Sequence, residues 1–284
     1  MRLAMSNIAW RPEERIPIYK QLAGMGVHGL EIAPGLLFPD CPDPLRPGPD
    51  IVRERLAEIA AFDLRIVSIQ SIHFGADQAQ LFGTASQRQL FTDRLIDAVE
   101  LAASLHAPNI VLGSPKQRVR PPHLKAAEAS LVAVQVLRQV GERASRVGTT
   151  LSVEVNPVEY GANFVTTFDE GIRLLEEIDH ASVKMCLDMG TIALTEGNDL
   201  SELVRSVSPH LGHVHISDPY LARTPSDPAL LRSLAAQLRD VEYAGWLSIE
   251  MRSTGPNDRD AVRSSVAGVQ RGYCGRSDRE WKLP

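Results

Sequence analysis

The 284-residue sequence contains only three cysteines, Cys41, Cys186 and Cys274, and no CxxC pair. That excludes a disulfide framework and a thiolate zinc site, and it points to a reducing, cytoplasmic setting. No stretch approaches 18 uninterrupted apolar residues, and the N-terminal run LAMSNIAW lacks the long apolar core and cleavage site of a secretory signal. No membrane partner is therefore expected. Basic residues number 30 against 35 acidic ones and are spread along the chain, so no surface is set up to follow a phosphate backbone and nucleic acid is not an expected partner. Finally, no GxGxxG follows the first strand candidate, which argues against a dinucleotide-binding open sheet.

What is present is an ordinary globular mixture, 44% apolar and 23% charged. Eight β-prone runs recur about every 30 residues: 2–10, 29–33, 64–72, 109–114, 150–156, 183–189, 212–217 and 246–251. Stretches with apolar residues at three- and four-residue intervals lie between them, as parallel strands require. Eight such units in a chain slightly longer than the roughly 250 residues typical of a (β/α)8 TIM barrel predict that α/β fold. The expected organisation is one barrel domain over 1–270 and a C-terminal tail over 271–284. The Pro/Gly/Asp-rich segment 33–50 reads as an ordered loop that would wall the mouth, with proline excluding regular structure there.

The last four strand candidates each end in one polar residue: Glu154 in SVEVNP, Asp188 in CLDMG, His215 in HVHISDP and Glu250 in SIEMR. These lie 34, 27 and 35 residues apart, close to one βα unit each, so a barrel brings all four to one rim. Three carboxylates and an imidazole form a mostly oxygen site suited to one divalent metal, Mn2+ or Mg2+ first, with Zn2+ or Co2+ also compatible. Each residue alone reads equally well as a salt-bridged strand end; together they are best explained by a metal, because buried carboxylates are costly unless coordinated or paired.

In combination and order, GLEIAPG, SVEVNP, CLDMG, HVHISDP and SIEMR resemble the sugar phosphate isomerase/epimerase family of xylose isomerase-like barrels, and the resemblance runs from the first strand to Glu250. It implies that Glu154, Asp188, His215 and Glu250 bind the metal and that Glu154 and Glu250 are catalytic. They would move a proton next to a substrate carbonyl through a metal-stabilised enediolate on a sugar, sugar phosphate or cyclitol. The alternatives are a metal-dependent dehydratase or lyase of the same fold, a non-catalytic sugar-binding barrel, or a partner subunit; a homo-oligomer is expected by resemblance alone. Many relatives carry a histidine three residues after the aspartate, where this chain has Thr191.

Further candidates for substrate contact surround this set. His73 and Gln70 follow the third strand candidate, and Glu31 ends the second, where a structural hydrogen bond is an equal reading. Lys116 and Arg118 in GSPKQR sit on a loop able to hold a phosphate or carboxylate, or to be merely solvated. Asn156, Tyr160 and Asn163 follow Glu154; Asp218 and Tyr220 follow His215; Arg252 lies two past Glu250. His213 shares a strand face with His215 and reads as a deeper, hydrogen-bonded core histidine.

Overall fold

The structure is a computed structural model, and it describes residues 2–195 and 199–274. In chain order its strands are β1 (Arg2–Ser6), β2 (Gly29–Ile32), β3 (Arg65–Ile69), β4 (Asn109–Leu112), β5 (Thr150–Glu154), β6 (Val183–Asp188), β7 (Leu211–Ser217) and β8 (Trp246–Glu250). Each pairs in parallel with the next, and β8 closes on β1. The helices are α1 (Arg15–Gly24), α2 (Pro34–Leu37), α3 (Pro49–Ala60), α4 (Ala85–Ser104), α5 (Ala126–Val147), α6 (Phe168–Ile178), α7 (Met189–Leu194), α8 (Leu200–Val207), α9 (Pro228–Asp240) and α10 (Asp258–Cys274). Thus α10 runs past residue 270; the rest of the expected tail, 275–284, lies outside the described residues. No helix among the described residues is long and apolar enough to cross a membrane.

Strand alternation sorts the chain into two layers. Leu151 and Val153 of β5, Met185 and Leu187 of β6, Val214 and Ile216 of β7, and Leu247 and Ile249 of β8 join the large apolar core that also contains helix residues such as Leu95, Leu137 and Leu234. The intervening residues face the barrel axis and are mostly polar. At one end Ala4, Val67 and Trp246 form a separate apolar cluster, with the Arg2 and Arg65 guanidiniums 4.6 and 4.9 Å from the Trp246 ring centre. Above that plug Asn109 donates to Ser68 Oγ at 3.0 Å and accepts from Ser152 Oγ at 2.6 Å. Parallel strands buried on both faces usually read as continuous apolar runs. Here the inward half is polar because it carries the floor of a site.

Two expectations are corrected. Prolines do not keep helix out of 33–50: Pro34 and Pro49 stand at the starts of α2 and α3, where a missing N–H costs no hydrogen bond. Nor does that segment line the mouth cavity described next; the walls come from 71–77, 114–117, 154–160, 217–221 and 252.

Candidate metal centre

Glu154, Asp188, His215 and Glu250 converge where β5 to β8 end, each offering a ligand atom within 4.8 Å of the others. Register explains the convergence, since Asp188 pairs with His215 and Ser217 with Glu250. His215 Nδ1 lies 3.0 Å from Glu154 Oε1, 3.3 Å from Glu250 Oε2 and 3.9 Å from Asp188 Oδ2. The cluster forms the floor of a cavity of about 610 Å3, to which Glu154, Asp188 and Glu250 all contribute.

Asp188 and Glu154 are also held from behind. Asp188 caps α7 by accepting from Thr191 N–H at 2.6 Å, and its other oxygen accepts from the Ser217 hydroxyl. Glu154 accepts from Asn156 Nδ2 at 2.9 Å, while Asn156 Oδ1 accepts from Arg118 at 2.7 Å. Two glycines make room. A Cβ on Gly113, at the end of β4, would stand 2.6 Å from Glu154 Oε2, and one on Gly190 would stand 2.8 Å from Ser217 Oγ and 3.1 Å from the Asp218 carbonyl oxygen.

Without a cation the site is short of positive charge. Two carboxylates about 4 Å apart repel by about 4 kcal/mol at an effective dielectric of 20. Burial pushes Glu250 up to about 7, and burial together with Glu154 raises Asp188. Burial also opposes charge on Glu154 and Glu31, yet His215 draws both down, Glu31 well below the usual range. Against its own burial, His215 is raised well above an ordinary imidazole by Cys186, Glu31 and Glu250. A divalent cation supplies the charge these groups otherwise draw from protons, so the donor set fits one.

The remaining candidates divide by position. His73, Lys116, Asn156, Tyr160, Tyr220 and Arg252 line the cavity. His73 stacks on Phe91 at 4.2 Å, its ring nitrogens 3.2 Å from Ser114 Oγ and the Phe91 carbonyl, and burial lowers it to about 4. Tyr160 Oη accepts from Tyr220 N–H at 3.0 Å and the two rings meet edge to face, which joins the loops after β5 and β7 over the site. The other candidates are not on the wall. Arg118 is buried and donates to the carbonyls of Gly113 at 2.7 Å and Glu154 at 2.9 Å as well as to Asn156. It is a strut under Glu154, in place of the expected exposed anion clamp. Gln70 and Glu31 lie below the floor, Asp218 accepts from Ser226 N–H at 2.9 Å, and Asn163 is tied to the backbone of Arg120. Thr191, by contrast, does line the cavity; it is buried, and its hydroxyl donates to the Val155 carbonyl at 3.2 Å.

Ser217 escaped the sequence reading although its signal was present, two residues beyond His215 on the same strand face. Ser71, Ser114, Gln117 and Glu159 line the mouth from irregular loops with no comparable periodicity.

Among solved structures, 3-keto-D-glucoside 4-epimerase from E. coli is similar at 22% identity and TM-score 0.78, covering 95% of this chain and 99% of that one. D-psicose 3-epimerase from Clostridium cellulolyticum H10, with D-tagatose, is similar at 18% identity and TM-score 0.72, with 96% of each chain covered. An L-ribulose 3-epimerase is similar at 15% identity and TM-score 0.77, covering 96% of this chain and 94% of its own. A search of curated proteins finds no match to the sequence. Residues 19–271 match the family described as xylose isomerase-like TIM barrel, and with its eight-stranded closed barrel the chain belongs to that family.

Proposed function

We propose that the protein is a divalent-metal-dependent isomerase or epimerase acting on a sugar, sugar phosphate or cyclitol. One observation carries the reading: Glu154, Asp188, His215 and Glu250 converge within 4.8 Å on the floor of a cavity of about 610 Å3, large enough for a monosaccharide. The epimerase names borne by the similar structures agree with it.

The four residues would hold the cation, which when bound supplies a Lewis acid for negative charge developing on a substrate oxygen. Glu154 and Glu250 are the two groups placed to carry the proton. One takes the proton next to the substrate carbonyl, and the other delivers one to the opposite face, which inverts the stereocentre. Asn156 and Arg118 keep Glu154 in place, while the Tyr160–Tyr220 pair limits water over the floor. With Thr191 at the position of the usual family histidine and its hydroxyl turned to Val155, proton traffic rests on the two glutamates.

The test is metal analysis of the purified protein beside Glu154→Gln and His215→Ala, followed by solvent-deuterium incorporation into a panel of ketoses and inososes with the metal restored. About one metal per chain, lost in the variants, and deuterium next to the carbonyl are expected. A wild-type protein that binds no divalent metal overturns the reading in favour of a non-catalytic sugar-binding barrel.

A further inference from the structure

Beneath the metal centre lies a second polar cluster that the proposed chemistry leaves unused. Glu31 on β2 has no exposed surface, and three side chains converge on its carboxylate. Gln70 Nε2 donates to Oε1 at 2.9 Å, and the Nε2 atoms of His213 and His215 stand 2.9 Å and 3.1 Å from its oxygens. Gln70 is anchored in turn by donating to Ser6 Oγ at 2.6 Å. None of Glu31, Gln70 and His213 touches the cavity, so substrate contact does not account for them.

The chemistry of an imidazole gives this arrangement a consequence. A neutral histidine carries one N–H and one lone pair, and a carboxylate accepts without donating. Both ring nitrogens of His215 face carboxylates, so without a cation both can hold protons; with a cation among Glu154, Asp188 and Glu250, the one proton of a neutral ring belongs on Nε2 against Glu31 and the Nδ1 lone pair is left for the cation. The opposite tautomer would set a lone pair against the carboxylate and an N–H into the centre.

We infer that Glu31 is a positioning residue, which fixes both the ring orientation and the tautomer of His215 so that Nδ1 is its ligating atom. The inference rests on the metal-binding reading above. A carboxylate behind a ligating histidine also raises the basicity of the ring, and losing such a partner typically costs about 10–100-fold in metal affinity. The same geometry separates the two histidines of β7: His213 meets the same carboxylate from below and is no ligand.

The experiment compares wild type with Glu31→Gln, Glu31→Asp and, as a control for interior packing, Ser152→Ala. Mn2+ is titrated calorimetrically, and the histidine ring nitrogens of the proteins loaded with diamagnetic Mg2+ are read by 15N NMR. Wild type is expected to show His215 with a proton on Nε2 and none on Nδ1. Glu31→Gln is expected to bind Mn2+ about 10–100-fold more weakly with a changed nitrogen pattern, Glu31→Asp to recover part of the affinity, and Ser152→Ala to lose thermal stability alone. Wild-type affinity in folded Glu31→Gln, or equal weakening in Ser152→Ala, overturns the inference. If Glu31→Gln does not fold, the wild-type spectrum decides, and a proton on Nδ1 overturns it. A wild type without Mn2+ affinity defeats the proposed function, whereas a wild type that binds Mn2+ while Glu31→Gln keeps the same nitrogen pattern defeats this inference alone.

Discussion

The two halves of the barrel wall are built alike and charged differently. β5, β6 and β8 end in a carboxylate at the mouth and β7 carries His215 two residues before its end, whereas above Arg2 and Arg65 the inward residues of β1 to β4 are alanine, serine, glycine, asparagine and valine, with Glu31 the one acid among them. The first half works by leaving room and supplying struts. Gly113 at the end of β4 clears space for Glu154, Arg118 braces the backbone of Glu154 and Asn156, and Glu31 backs His215. A closed barrel thus lets charge gather along one arc while the opposite arc, through Arg118 and Glu31, holds it in place.

The sharpest way to break this division is to neutralise the charged arc. Glu154→Gln and Glu250→Gln should each slow solvent-deuterium exchange into a turned-over substrate by about 100- to 10,000-fold with circular dichroism unchanged, the range expected for a lost acid or base. Exchange at the wild-type rate in either variant would remove that glutamate from the chemistry.

Cutting a strut tests the other half. Arg118→Leu strands three buried acceptors, the carbonyls of Gly113 and Glu154 and Asn156 Oδ1, and should cost about 4 kcal/mol. The corresponding fall in thermal midpoint is roughly 8–12 °C, measurable by calorimetry. A midpoint within a degree of wild type would mean the two halves are not joined through this guanidinium.

His73 separates the halves by pH. Burial lowers it from an ordinary value near 6.5 to about 4, so between those values the unfolded chain binds a proton that the folded one refuses. Stability from this group therefore falls as pH drops from 6.5 to 4, by up to about 3 kcal/mol. His73→Gln should flatten the midpoint against pH over that window, and an unchanged slope would count against a neutral, buried His73. The smallest effect belongs to the exposed Lys116, which lines the cavity without an ion pair among the described residues. Lys116→Ala should change stability by less than about 0.5 kcal/mol. It should weaken an anionic substrate severalfold and leave a neutral one untouched; equal loss for both would assign Lys116 to shape rather than charge.

The candidate quartet and the barrel were legible because they rest on local regularities. Period-two alternation places the odd residue of each strand on one face, and spacing near one βα unit stacks the four strand ends at one rim. The strands were read too long, 2–10 against Arg2–Ser6 and 64–72 against Arg65–Ile69, because side-chain propensity continues where the backbone leaves the sheet. Arg118 shows why mouth loops resist the same treatment. GSPKQR offers two cations, and only the 3-10 turn Pro115–Arg118, entered through Ser114 at φ 51°, turns one inward under Glu154 and leaves Lys116 exposed on the cavity wall. Glu31 and Gln70 are near the mouth in sequence terms, yet strand stagger sets them one layer below it.

Residue order was thus sufficient for the eight strands, their order and the polar group near each of the last four strand ends, since these follow from periodicities of two and of about 30 residues. Closure of the barrel alone decided which polar groups reach the cavity and which support them, because contacts such as Glu31 to His215 and Arg118 to Asn156 join residues 184 and 38 positions apart that no local pattern brings together.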